Sequence, residues 1–139
     1  MSQTAFGKSS DQGTGLTTAF SSFSVNDLNE AKTFYRDTLG VKVSEEKEGL
    51  GLEFDGAQTV FIYAKPDHQP AAFTVLNFKV GDIRAAVDGL KANGVEFESY
   101  GGDIKTDETG IMWGKPAGRG PNIAWFKDPA GNILSVVED

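Results

Sequence analysis

The sequence lacks several residue types and patterns that define whole classes of protein. It has no cysteine and only one histidine, His68, so disulfides and thiolate metal sites are excluded. No run of about 18 apolar residues is present that could span a bilayer. No cluster of lysine and arginine is present that could bind nucleic acid phosphates. We therefore expect neither a membrane nor a nucleic acid as a partner.

Length and composition indicate one globular domain. Of the 139 residues, 39% are apolar and 24% are charged, as in ordinary globular proteins. Residues 1–15 are rich in Ser, Gly, Gln and Thr and predict a flexible tail, and we assign residues 16–139 to a single domain. Because no basic segment followed by an apolar one is found near the N-terminus, we recognise no secretory signal and expect a cytoplasmic protein.

Acidic residues outnumber basic residues by 20 to 13, and the formal net charge is −7. An acidic surface would draw cationic ligands towards the protein. The same charge also keeps many proteins soluble, so it does not by itself indicate a ligand.

Two segments have the features of capped amphipathic helices. In the first, Asp27 is the predicted N-cap and Gly40 the predicted C-cap glycine. In the second, Asp82 is the predicted N-cap and Asn93-Gly94 ends the helix. Four positions recur at one constant spacing of 55 residues, namely Val25, Asp27, Leu28 and Ala31 with Val80, Asp82, Ile83 and Ala86. This agreement indicates an internal duplication.

Apolar and β-branched runs predict the strands around these helices. In the first half they are Leu16–Val25, Val41–Glu45, Leu50–Phe54 and Thr59–Ala64. In the second half they are Ala72–Val80, Val95–Tyr100 and the two arms of a closing hairpin. The order of elements predicts two βαβββ modules, the first about residues 16–66 and the second about residues 70–139.

The closing hairpin carries the most specific motif of the chain. Two apolar runs flank the turn Asp128-Pro129-Ala130-Gly131-Asn132, in which proline fixes φ and glycine allows positive φ. With Trp125-Phe126 before it and Leu134 after it, this turn resembles the closing signature of the vicinal oxygen chelate superfamily. That superfamily includes glyoxalase I, extradiol dioxygenases, fosfomycin-resistance enzymes and bleomycin-resistance proteins.

The resemblance implies a fold and a mode of assembly. It implies an α+β architecture in which two βαβββ modules form a curved mixed sheet around a cavity, with the helices on the convex side. Members usually pair their modules within or between chains, so a homodimer is expected. One helix cannot cover the whole apolar face of a four-stranded sheet, which gives the modules a physical reason to pair.

The resemblance also implies where a metal would be bound. Metal-dependent members hold one divalent ion with His, Gln or Glu at four positions, which correspond here to Phe20, Ile62, Val75 and Ser135. Three of these side chains carry no lone pair, and a neutral serine hydroxyl is a poor ligand on its own. We therefore expect no metal and no other cofactor at this place, whereas scattered carboxylates leave a metal site elsewhere open.

Without a metal, the same positions would line a cavity for a small molecule. Strand alternation puts Ser22 beside Phe20 and Asn77 beside Val75, and resemblance to the fosfomycin-resistance enzymes places Trp125 in the cavity. The predicted ligand-binding residues are Phe20, Ser22, Ile62, Val75, Asn77, Trp113, Trp125 and Ser135. The alternative is that the large side chains among them fill a collapsed core.

The segment Gly101–Gly120 is a long, glycine-rich connection of the kind that often has a function. Trp113 within it would close over the cavity or pack at a subunit interface. Asp107 and Glu108 on the same loop would meet a cationic ligand or remain solvated.

Two functions stay open. The first is metal-independent binding of a small aromatic or amphipathic molecule, as in bleomycin-resistance proteins. The second is a lyase or dioxygenase-type enzyme of the same superfamily, with a displaced metal site or with metal-free chemistry that needs a general base. His68, which we predict to lie exposed in a loop, does not stand out as that base. The sequence therefore leaves open whether the protein is an enzyme and which molecule it binds.

Overall fold

The structure, a computed structural model, describes residues 13–56 and 59–139. Most of the tail predicted for residues 1–15 lies outside this range, and residues 13–21 belong to no helix or strand. None of the helices in the described ranges has the length and apolar character needed to cross a membrane.

The first module has the element order strand, helix and three strands. Its elements are β1 (Ser22–Val25), α1 (Leu28–Thr33), a π-helical turn (Phe34–Thr38), β2 (Lys42–Glu46), β3 (Gly49–Glu53) and β4 (Val60–Ala64). The sheet order is β1-β4-β3-β2, in which β1 runs parallel to β4 and the other pairs are antiparallel.

The second module repeats this plan. Its elements are β5 (Thr74–Lys79), α2 (Ile83–Ala92), a 3-10 turn (Gly102–Ile104), β6 (Ile111–Met112), β7 (Asn122–Lys127) and β8 (Ile133–Glu138). The sheet order is β5-β8-β7-β6, again with the first strand parallel to the last. The identical strand orders confirm the two βαβββ modules. The two four-stranded sheets are not closed into a barrel.

The helix caps are those that the sequence predicts. The carboxylate of Asp27 accepts a hydrogen bond from the Glu30 amide at 3.0 Å, and that of Asp82 accepts one from the Ala85 amide at 3.1 Å. Gly40 has a φ of +75°, as a C-cap glycine requires. The first helix differs from expectation because it widens into a π-helical turn, which places Tyr35 towards the second module.

Two predicted strands differ from the structure. The strand expected over Leu16–Val25 begins only at Ser22, because its partner β4 starts at Val60 and its last bond on this side runs from the Phe61 amide to the Ser21 oxygen. The strand expected over Val95–Tyr100 is wrong, since that segment makes one isolated bridge, between Phe97 and Phe126. The short strand β6 takes the remaining edge of β7 instead.

The apolar core lies between the sheets and their helices. Buried side chains from both modules form one cluster, among them Phe23, Val25, Tyr35, Leu52, Ile62, Ile83, Val87, Phe126, Leu134 and Val136. Neighbouring residues on the same strands point the other way, because side chains alternate across a strand. Each sheet therefore has a second face, turned away from its helix, which we call the open face.

The closing turn joins the two modules through a buried carboxylate. Asp128 accepts hydrogen bonds from the Tyr35 hydroxyl at 2.7 Å, from the amides of Ala130 and Asn132, and from the Asn132 side chain. The same Asn132 side chain donates to the backbone oxygen of Ser24 at 2.9 Å. Burial, followed by the charge and hydrogen bond of Asp128, raises the pKa of Tyr35 far above its usual range. The tyrosine is therefore a permanent donor to the second module.

The long connection before β7 is fixed by Asp107. Its carboxylate accepts hydrogen bonds from the amides of Thr109 and Ile111, from the Thr109 hydroxyl and from the Trp113 indole. Partial burial acts to raise the pKa of Asp107, but these hydrogen bonds outweigh it and hold that pKa well below its usual range. The Arg84 guanidinium lies 5.4 Å from the centre of the Trp113 ring. Trp113 is thus part of a local anchor on the second module.

Replacing Tyr35 by phenylalanine removes only the donor to the buried Asp128. We expect Tyr35→Phe to lower the free energy of unfolding by about 2 kcal/mol, because a buried carboxylate loses a charge-assisted hydrogen bond. Urea denaturation measures this change. Tyr100→Phe is the matched control, since the Tyr100 hydroxyl has no hydrogen-bond partner among the described residues, and an equal loss in both variants would contradict the assignment.

The hydrogen bonds of Asp107 predict a pH-dependent stability difference. At neutral pH, Asp107→Asn should be less stable than the wild type by about 1 kcal/mol. Because the folded pKa is depressed, this difference is fully present above about pH 5 and shrinks as the pH falls below about 4. Thermal melts of both proteins across this range measure the difference, and a difference that grew on acidification would refute the assignment.

Candidate functional site

A polar row crosses the open face of the second module. Asn77, Ser135 and Trp125 are direct neighbours on β5, β8 and β7. The Ser135 hydroxyl donates to the Asn77 side-chain oxygen at 2.6 Å. The row therefore holds its own small polar groups in fixed orientations beside a large aromatic ring.

The Trp125 side chain is held in place by Thr74 and Tyr100. Its indole Nε1 donates to the Thr74 hydroxyl at 3.1 Å, and its ring packs edge to face with Tyr100 at a centroid distance of 5.3 Å. Thr74 reaches the open face because the register between β5 and β8 shifts between Thr74 and Leu76. This bulge leaves Val75 without a regular cross-strand partner.

A groove of about 400 Å³ lies where the first strands of the two modules come together. We call it the inter-module groove and define it by Ser22, Ser24, Tyr63, His68, Phe73 and Thr74. Serines and Tyr63 come from the open face of the first module, whereas Thr74 comes from the open face of the second. Two aromatic rings and several hydroxyls thus share one concave surface, which is the usual make-up of a small-molecule site.

His68 connects the modules inside this groove. Its Nδ1 lies 2.6 Å from the Ser24 hydroxyl oxygen, and its Nε2 lies 3.0 Å from the backbone oxygen of Ala130 in the closing turn. The prediction of an exposed loop histidine is therefore wrong, because the ring is partly buried and both of its nitrogens are engaged. The partners come from residues 44 and 62 positions away, which a loop-based reading of the sequence could not find.

The structure separates the predicted ligand-binding residues. Ser22 and Val75 lie in the inter-module groove. Phe20 is 68% exposed and precedes the first strand. Ile62 is fully buried in the core beneath α1, so its side chain points away from the open face, and its strand neighbour Tyr63 lines the groove instead.

The other predicted residues lie farther along the second module. Asn77 is exposed on the open face, with Trp125 partly buried in the same row, and Ser135 between them has no exposed surface. Trp113 lies outside the groove, because its indole is bound to Asp107 at the far edge of the sheet. A lid formed by Trp113 over the groove is not present in this conformation.

Sequence analysis missed several residues of the groove, namely Ser24, Tyr63, His68, Phe73 and Thr74. Strand alternation from Ser22 could have found Ser24. An assignment of β4 shifted by one residue would have selected Tyr63 in place of Ile62. Thr74 depends on the bulge, for which the sequence offers no visible signal.

The side chains of the inter-module groove and of the polar row do not suit a divalent metal ion. The groove and the polar row present hydroxyl, amide and aromatic groups with the single imidazole of His68, and the Ser135 and Asn77 oxygens already bond to each other. Within residues 13–56 and 59–139 no group of three or more His, Asp or Glu side chains is arranged to hold a metal. Neutral hydroxyls and amides cannot replace the water of a divalent ion at acceptable cost.

A second hollow, of about 440 Å³, lies on the helix side between the modules. It is bordered by α2 and by Leu39, Val41 and Phe78. Its walls are mostly aliphatic, and the nearby Asn93 side chain is already bonded to the backbone oxygen of Thr38. With so few polar groups to orient a ligand, this hollow is a weaker candidate than the inter-module groove.

Solved structures resemble this chain over most of its length. TnmS3, an antibiotic binding protein from Streptomyces sp. CB03234, is 22% identical, with a TM-score of 0.62, and the match covers 86% of this chain and 92% of the other. The fosfomycin resistance protein FosX from Listeria monocytogenes is 14% identical, with a TM-score of 0.63 and coverage of 88% and 92%. A superfamily member from Sphaerobacter thermophilus DSM 20745 is 24% identical, with a TM-score of 0.60 and coverage of 86% and 94%.

These likenesses are in fold, because the identities are low. No curated protein matches the chain. The model of the Glyoxalase/Bleomycin resistance protein/Dioxygenase superfamily, however, matches residues 18–136, which span both modules. The chain is a member of the glyoxalase/bleomycin resistance protein/dioxygenase superfamily.

Proposed function

We propose that this protein binds a small aromatic or amphipathic molecule in the inter-module groove, without a metal ion. The observation that carries the proposal is the groove itself, where the rings of Tyr63 and Phe73 lie beside the hydroxyls of Ser22, Ser24 and Thr74. Aromatic walls bind flat rings through stacking and apolar contact, and a few polar groups then fix the orientation.

Trp125 extends this surface behind the groove. It is anchored to Thr74, which itself lines the groove, and it lies in one row with Asn77. A ligand that enters between the modules would therefore reach the indole ring through a small movement of the Thr74 side chain. This neighbourhood makes Trp125 the natural reporter of binding.

The character of the solved relatives agrees with a binding role. One is named an antibiotic binding protein and another a fosfomycin resistance protein. Both names concern those proteins, and at 22% and 14% identity they support a class of ligand, a small organic molecule, without naming one.

We also propose that the protein works as a homodimer. Leu16, Phe20 and Phe73 are large apolar side chains that remain 88%, 68% and 68% exposed in the single chain. Phe73 borders the inter-module groove, so a partner subunit seated there would complete the wall of the groove. Exposed apolar side chains of this size are typical of interaction surfaces.

The alternative function, a metal-free enzyme of the same superfamily, is favoured by one observation. Ser24 and His68 form a short hydrogen bond inside the groove, and an imidazole held in this way can act as a general base. Turnover of a bound compound, as opposed to its release unchanged, would separate this function from binding alone.

The two tryptophans allow a matched test of the binding site. We expect Trp125→Ala to weaken the binding of aromatic ligands by about 10-fold, because one stacking surface is lost. Trp113→Ala, whose indole is bound to Asp107 outside the groove, should leave the affinity unchanged. Calorimetry on a panel of aromatic compounds measures both, and the reverse pattern would exclude the groove.

Metal independence is tested on the protein without any ligand. Because the groove and the polar row offer no suitable donor set, and no cluster of three or more His, Asp or Glu is found among the described residues, added Ni²⁺, Zn²⁺, Mn²⁺ or Fe²⁺ should leave the melting temperature unchanged, with no stoichiometric metal in elemental analysis. A tightly bound ion would stabilise the folded state by several kcal/mol at saturating concentration. Such a shift, retained after removal of free ions, would refute metal independence.

A further inference from the structure

The hydrogen bonds of His68 determine which of its nitrogens carries a proton. The partner of Nε2 is the backbone oxygen of Ala130, which can only accept a hydrogen bond. Nε2 must therefore be protonated. In the neutral imidazole Nδ1 is then the acceptor, and it receives the hydroxyl hydrogen of Ser24 at 2.6 Å.

This arrangement lets the Ser24 hydroxyl act towards the groove either as an acceptor or as a donor, according to the protonation of His68. While His68 is neutral, the Ser24 hydroxyl donates its hydrogen bond to the imidazole, so only the lone pairs of its oxygen face the groove. When His68 is protonated, Nδ1 donates to Ser24, and the hydroxyl hydrogen becomes free to point at a ligand. The pair then presents a donor backed by a positive charge, which is what an anionic group requires.

The described residues that line the groove carry no carboxylate that would repel an anion. None of the residues that line the groove is Asp, Glu, Lys or Arg, although the chain as a whole has a net charge of −7. On its own loop, His68 has Asp67 as a neighbour, and this carboxylate is paired with Lys65. The groove is therefore a neutral surface that can gain one positive charge.

Titratable groups also approach His68 from the closing turn and from β4. From the closing turn, Asp128 lies near, but its oxygens are buried and accept hydrogen bonds from Tyr35, Ala130 and Asn132. From β4, the Tyr63 side chain lines the same groove. No Asp or Glu is found among the described residues of the groove, so no carboxylate there would pair with a protonated His68 in the absence of a ligand.

We propose that the Ser24–His68 pair binds the carboxylate of an aromatic acid, and that His68 takes up a proton as the acid binds. This inference rests on the proposed binding function and names its ligand class. The ring of the acid lies against the aromatic walls, and its carboxylate accepts the Ser24 hydroxyl hydrogen. It replaces the cationic ligand that the overall acidity of the chain suggests.

The test compares naphthoate with the neutral naphthamide by titration calorimetry of the wild-type protein near pH 7. Naphthoate should bind at least about 10-fold more tightly, because only the acid gains a charge-assisted hydrogen bond. Repeating the titration in two buffers with different ionisation enthalpies counts protons. Naphthoate should bring about net proton uptake, and naphthamide should bring about none.

Three variants locate the effect. His68→Gln retains a donor for the Ala130 oxygen but cannot take up a proton, so it should lose both the preference for the acid and the proton uptake. Ser24→Ala should lose the preference for the acid. Asp67→Asn, an exposed neighbour of His68, should retain both. If His68→Gln does not fold, the wild-type comparison of acid and amide still decides.

The possible outcomes separate this inference from the proposed function. Equal affinity for naphthoate and naphthamide without proton uptake overturns the acid class but leaves aromatic binding intact. Binding of other aromatic compounds in a Trp125-dependent way, with neither naphthalene compound bound, has the same meaning. If no aromatic compound binds at all, both the inference and the proposed function fail.

Discussion

The hydrogen bond between the Tyr35 hydroxyl and the buried Asp128 carboxylate is the contact on which the arrangement of the two modules depends. A carboxylate can be buried only if its lone pairs are satisfied. The closing turn supplies three of its hydrogen bonds, and the first module supplies the fourth. Separation of the modules would leave this carboxylate without one of its donors. The turn therefore both connects two strands and holds the two modules together.

The groove is a consequence of the contacts that the closing turn makes with the first module. Asn132 bonds to the Ser24 backbone and His68 reaches Ala130, so the same turn places the first strand of one module beside the first strand of the other. Since each helix covers only one side of its sheet, the open faces meet in a concave surface. The metal-binding chemistry of some superfamily members is not supported by these side chains, while the shape that would surround a ligand is retained.

Much of the fold could be predicted because it depends on local signals. The N-caps Asp27 and Asp82 and the closing turn follow from nearby residues, and the structure confirms them. The repeat at a spacing of 55 residues predicts the two modules, which the identical strand orders confirm. The site was predicted less well because it depends on register. A shift of one residue replaces Ile62 by Tyr63, and the bulge in β5 brings Thr74 into the groove beside Val75.

His68 shows why the rest could not be found. Its sequence neighbours are typical of an exposed loop, and its actual partners are a serine on β1 and a carbonyl in the last hairpin. Contacts between segments 44 and 62 residues apart depend on the tertiary arrangement of both modules. A single sequence contains no local pattern that reports them.

Mapping of backbone amide shifts by NMR, with any aromatic compound that changes the tryptophan fluorescence, tests the central claim most directly. The account predicts that the perturbed amides cluster on Ser22 to Ser24, Tyr63, His68 and Thr74, on both sides of the inter-module groove. Perturbations confined to the hollow between α2 and Leu39, or to the loop around Trp113, would contradict it.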